Sequence, residues 1–122
     1  MNAPLRAGSC LVHLGGGFLL WSSCFVALYG LLSLGCEAGW GAWQRPVLLA
    51  AWALHLAAVA ALLAWQWTAR NSSSRLAPPP ALRVPALALT AAALLATVWI
   101  GWPVLALPAC AGNELRLVVP PA

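Results

Sequence analysis

The sequence predicts an all-α membrane protein with three transmembrane helices, and three observations carry that prediction. Charge is scarce: of 122 residues, six are Arg, two are Glu, and none is Lys or Asp. Hydrophobic residues reach 63% and charged residues only 7%, where an ordinary soluble domain carries roughly 25% charged. Three stretches are also apolar for longer than the roughly 20 residues a bilayer core requires. A soluble domain would need a polar coat that this composition cannot supply. Disorder is excluded because it needs low hydrophobicity and high charge. A net charge of +4 from six scattered Arg is no basic patch, so nucleic acid is not an expected partner. Arg without Lys, with abundant Ala, Leu and Pro, points to a GC-rich bacterial genome.

The whole chain, residues 1–122, reads as one membrane domain. The spans are Leu11 to about Leu34, Pro46 to about Trp67, and Val84 to about Leu107, followed by a tail from Pro108 to Ala122. Lipid offers no water to backbone polar groups, so each span is expected to be helical. The connector Cys36–Arg45 is rich in Gly and Trp and holds Glu37 and Arg45. Pro46 then falls in a first helical turn, where Pro is tolerated. The second connector runs from Arg70 through Asn71-Ser72-Ser73-Ser74-Arg75 and Pro78-Pro79-Pro80 to Arg83. Such Ser- and Pro-rich chain is expected to be exposed and locally extended. Asn71-Ser72-Ser73 fits a glycosylation pattern and is read as coincidence.

Arg counting sets the expected orientation. The N-terminus and second connector share Arg6, Arg70, Arg75 and Arg83, whereas the first connector and tail share Arg45 and Arg116. The excess places the N-terminus in the cytoplasm and the C-terminus in the periplasm. Trp40, Trp43, Trp99 and Trp102 would then lie near the outer interface, and Trp65 and Trp67 near the inner one, as amphipathic indoles prefer. Trp21 and Trp52 sit deeper and are expected to pack between helices. Ser33-Leu34-Gly35-Cys36 makes a poor lipoprotein cleavage box, because the apolar run is too long and Ser33 stands where Leu is usual. The first span is therefore expected to be retained.

Topology selects among the cysteines. Cys36 follows the first span and Cys110 the third, so both are expected outside. Cys24 is mid-membrane and Cys10 lies at the cytoplasmic end. An oxidising periplasm permits a Cys36–Cys110 disulfide. Closing so long a loop would disfavour the unfolded chain by on the order of 4 kcal/mol. The tail segment Glu114-Leu115-Arg116-Leu117-Val118-Val119 has the pattern of one short strand or an extended arm. With no sheet in the chain, another polypeptide would receive it.

Candidate chemistry is sparse. His13 and His55 are the only His, and their expected depths differ by roughly 13 Å or more at 1.5 Å rise per residue. They cannot share one haem iron. Cys24 and His55 lie closer in depth, but two ligands do not close a metal site. His55 remains the intramembrane polar candidate, since a polar residue at depth is by default a functional hypothesis. No carboxylate is expected inside the bilayer to relay protons, and Gly15-Gly16-Gly17 lacks the context of a phosphate loop. The chain is therefore expected to be no enzyme and to hold no cofactor or metal of its own.

The spans carry packing information instead. Ala53, Ala57, Ala60, Ala61 and Ala64 form a small-residue stripe in the second span, and Ala88, Ala92 and Ala96 form another in the third. Small residues at that spacing let membrane helices approach closely. Phe18, Trp21, Phe25 and Tyr29 follow three- and four-residue steps in the first span, the pattern of a packing face. Pro103 is expected to kink or end the third helix.

The run Trp21-Ser22-Ser23-Cys24-Phe25-Val26-Ala27-Leu28-Tyr29-Gly30, with its exit Ser33-Leu34-Gly35-Cys36, resembles a group of small, little-characterised multi-pass proteins associated with bacterial haem–copper terminal oxidases. The resemblance covers about 20 residues and transfers no catalytic residue. It implies an accessory or assembly subunit of a respiratory complex in the bacterial inner membrane, with any haem or copper held by the partner. Two other functions fit the length. A three-span metal-ion transporter would need paired Cys, and Cys10 and Cys24 are not adjacent. A holin-like pore former would usually carry a basic tail.

Overall fold

The computed structural model describes residues 3–70 and 78–110. Within them the chain forms three long helices: α1 (Ala3–Ala38), α2 (Gln44–Arg70) and α3 (Pro80–Ala106), with one 3-10 turn at Gly41–Trp43. Each helix packs against both others, giving an up–down–up bundle. All three are long and apolar enough to cross a membrane.

The helices outrun the predicted spans because helical backbone continues past the apolar core until something stops it. The 36 residues of α1 amount to ~54 Å of helix, against a core of about 30 Å. What stops α1 is Gly39, at φ +66°. There the Trp40 N–H reaches back to the Gly35 carbonyl at 3.1 Å, the long bond of a Schellman-type cap that needs a left-handed residue before it. The expected first connector therefore shrinks to a tight corner: Cys36 and Glu37 belong to α1, and Gln44 and Arg45 already belong to α2. Pro46 lies in the first turn of α2, as expected. Pro80 opens α3 behind Pro79, where the missing N–H costs nothing.

Pro103 lies inside α3, and the helix runs three residues beyond it to Ala106. It closes with the Leu107 N–H on the Pro103 carbonyl at 2.8 Å. The last carbonyls of a helix have no intrahelical donors. Arg45 supplies one from α2, its guanidinium donating to the Leu105 carbonyl at 2.7 Å. At the opposite end, Arg83 donates to the Pro78 and Arg70 carbonyls, each at 3.1 Å. That clip ties the end of α2 to the start of α3. Residues 71–77 and 111–122 lie outside the described residues, and with them the Ser-rich half of the second connector, the glycosylation pattern and the strand-like tail. The connector's other half departs from the exposed, extended chain expected, since Pro78 is buried and residues 80–83 already belong to α3.

The contact face of α3 is the row Ala86, Thr90, Ala93, Thr97 and Gly101. On α1 it includes His13, Gly17, Cys24, Leu28 and Gly35, and on α2 Gln44, Leu48, Val59, Gln66 and Ala69. Much of this surface is small or polar, as membrane helix contacts tend to be. A Cβ at position 17 would stand 3.1 Å from the Thr90 Cα, which marks a close approach of α1 and α3. Thr90 and Thr97 hide their hydroxyls by donating to the carbonyls four residues back, at 2.9 and 2.7 Å. They therefore pack as small residues.

The alanine rows read from the sequence as helix or partner packing lie largely outside this contact face. Ala53, Ala57, Ala60, Ala61 and Ala64 are exposed, on the side of α2 turned away from Leu48, Val59 and Gln66. Ala88 and Ala92 are exposed as well, and Ala96 is half-buried. The chain's own helices meet through a different row. Alanine recurs on several faces of α2 and α3, and four-residue spacing alone cannot say which face turns inward.

Candidate functional site

Polar groups are distributed through the bundle in three layers. Near the start of α1, the ring of His13 is buried and stacks on Trp65, with centroids 4.6 Å apart and planes at 15°. Beside it the buried Gln66 amide donates to the His13 backbone carbonyl at 3.0 Å. A Gln here is expensive to place in lipid, and an interhelical bond offsets that cost.

The middle layer holds His55. Its Nδ1 lies 2.8 Å from the Ala51 carbonyl and its Nε2 lies 3.0 Å from the Ser23 Oγ. A carbonyl only accepts, so Nδ1 carries a proton and donates. His55 thus pairs α2 with α1 through Ser23 and not through Cys24, which is fully buried on the adjacent face. His55 and His13 occupy different layers: Ser23 lies ten residues beyond His13, ~15 Å along the helix. Among the described residues no three His, Cys, Asp or Glu come together as a metal site.

The third layer lies at the corner between α1 and α2. Cys36 and Cys110 meet as a disulfide pair, with Cα atoms 5.8 Å apart, which is the pairing topology selects in the sequence. Against it packs Gln44, buried, whose Nε2 donates to the Leu32 carbonyl at 3.0 Å and lies 3.5 Å from the Cys36 Sγ. Gly35 makes the room: a Cβ there would stand 2.7 Å from the Gln44 amide carbon. One turn deeper in α2 than Leu48, Trp52 donates its indole N–H to the Thr97 carbonyl at 2.8 Å. Its ring occupies the space a side chain at Gly101 would need. Trp52 thus packs between helices, as its depth predicts.

Outside these layers lie the aromatic row and the surface indoles. Phe18, Phe25 and Tyr29 are exposed. Trp21 is half-buried, and its indole N–H meets no acceptor among the described residues. Phe18 and Trp21 edge a shallow groove whose other wall includes Ala92, Ala93 and Ala96 of α3. Phe25 stacks parallel to Tyr29 at 6.4 Å. The row is thus not enclosed between the chain's own helices. Trp40, Trp43, Trp65, Trp67, Trp99 and Trp102 all reach the surface, and the guanidinium of Arg70 covers the Trp67 ring at 5.2 Å.

Sequence reading missed Gln44, Gln66, Thr90, Thr97 and Gly101. A signal for three of the α2 contacts was present: Trp52, Val59 and Gln66 stand seven residues apart, the spacing of a packed seam. The interior side chains bond backbone carbonyls or neighbouring helices, and the outward surface is apolar and small-residue-rich. No protein-family model, curated protein or solved structure matches the chain.

Proposed function

We propose that the chain is a non-catalytic accessory or assembly subunit of a bacterial inner-membrane respiratory complex, packing at its periphery through outward helix faces. The observation that supports this reading is the placement of Ala53, Ala57, Ala60 and Ala64, exposed and opposite the α2 contact row. Small residues at that spacing give close approach to a further helix. The aromatic row of Phe18 and Trp21 lies on a second outward edge, beside Ala92 and Ala96. At mid-span the Ser23–His55 pair reaches the surface, Ser23 exposed and His55 half-buried, and polar groups at that depth normally face protein.

The terminal oxidase is the proposed partner because of the resemblance of Trp21–Cys36, and haem or copper would belong to that partner. The proposed orientation keeps the N-terminus cytoplasmic and the disulfide corner periplasmic, where oxidation is sustained. Blue-native electrophoresis of membranes solubilised in mild detergent tests the reading. Migration with a large respiratory complex is expected, and migration only as a free small species contradicts it.

A further inference from the structure

We propose that the groove between α1 and α3 at the disulfide end holds one acyl chain of an anionic phospholipid, with the lipid phosphate on Arg45. The groove encloses about 230 Å³. Phe25 and Tyr29 form one wall, Ile100 and Val104 the other, and the buried Leu48 lies between them. Its lining side chains are apolar apart from the phenol of Tyr29 and the guanidinium of Arg45, which stands one helical turn nearer the corner than Leu48. The exposed Trp43 stands two residues away from Arg45, and exposed indoles mark the headgroup level.

Charge and shape together select the occupant. An apolar channel open to the lipid side accepts a hydrocarbon chain. A guanidinium at its headgroup end selects an anion, because its planar fork matches phosphate oxygens. One N–H already donates to the Leu105 carbonyl, which holds the side chain over the groove and orients the rest of the fork. A soluble anion would leave the apolar groove unfilled, and a zwitterionic lipid would set its own cation against the guanidinium. This inference stands apart from the accessory-subunit reading, because a free bundle would bind the lipid equally well.

Native mass spectrometry of the purified full-length chain tests it, with phosphatidylglycerol and phosphatidylcholine of identical acyl chains as probes. The expected result is preferential retention of phosphatidylglycerol by about fivefold, the worth of one Arg at an anionic surface. Arg45→Gln should bring the ratio near unity, Arg45→Lys should keep most of it, and Arg70→Gln at the other end should leave it unchanged. Ile100→Trp, which fills the groove with Arg45 intact, should lower retention of both lipids. Equal retention of the two lipids by the wild type, a preference that survives Arg45→Gln, or displacement of the lipid by inorganic phosphate alone overturns the proposal. An apolar quinone that competes with equal strength in wild type and Arg45→Gln would also overturn it.

Discussion

The indole of Trp52 stands where a side chain at position 101 would have to be, and its N–H bonds the Thr97 carbonyl one turn earlier on the same helix. Gly101 is therefore the partner that lets a large aromatic residue lie flat between α2 and α3. Gly101→Leu should displace Trp52 and break its hydrogen bond. Overpacking of this kind costs about 1–3 kcal/mol, and the lost bond adds to it. Thermal unfolding in detergent, followed by tryptophan fluorescence, should show a lower midpoint. Gly30→Leu makes the control, since a Cβ there meets nothing within 4 Å.

Gln44 and Gln66 do similar work at opposite ends of α2, each donating to a carbonyl of α1. Gln44→Leu and Gln66→Leu should each lower stability by about 0.5–2 kcal/mol, the range found for hydrogen bonds between membrane helices. The two sites share no partner and lie 22 positions apart in α2, so their effects should add in the double variant. Non-additive losses measured in the same detergent would show that the two ends are coupled.

The disulfide joins positions 74 residues apart. Cys36→Ser or Cys110→Ser should destabilise the chain by up to about 4 kcal/mol in the chain-entropy model. Alkylation without reductant, followed by mass spectrometry, should label Cys10 and Cys24 after unfolding and leave Cys36 and Cys110 unlabelled. Reduction before unfolding should expose all four.

His55 and Ser23 form a pair that a double-variant cycle can isolate. His55→Leu, Ser23→Ala and their combination should give a coupling of about 0.6 kcal/mol, the average for such bonds in membranes. A coupling near zero would mean that His55 is held by its own Ala51 carbonyl alone.

The three spans were legible because hydropathy reports the solvent directly, and lipid demands helix wherever the apolar run is long enough. Helix ends were legible only in part: Pro46 falls in the first turn of α2 as expected, but α3 starts at Pro80, four residues before the predicted Val84, and α1 runs to Ala38, four residues beyond the predicted Leu34. The Cys36–Cys110 pairing followed from topology, since only those two cysteines share an end of the bundle. The inward faces were not legible. In water, an apolar stripe tells inside from outside, but in lipid every face is apolar and the moment vanishes. Ala93 of the true row and Ala92 of the outward one differ by one position and not at all in chemistry. Gln66 carried a signal that the alanines did not, because a polar side chain within the predicted second span must find a partner inside, whereas Gln44 fell in the expected connector.

The proposed docking face is the outward alanine face of α2, set against a larger membrane protein. Photocrosslinking in native membranes tests it most directly, with a photoreactive amino acid placed at Ala57, which is exposed, or at Val59, which is fully buried. Position 57 should form an adduct with a subunit of a respiratory complex, and position 59 should form none outside its own chain. Adducts from position 57 to lipid alone, or only to second copies of this chain, would contradict it.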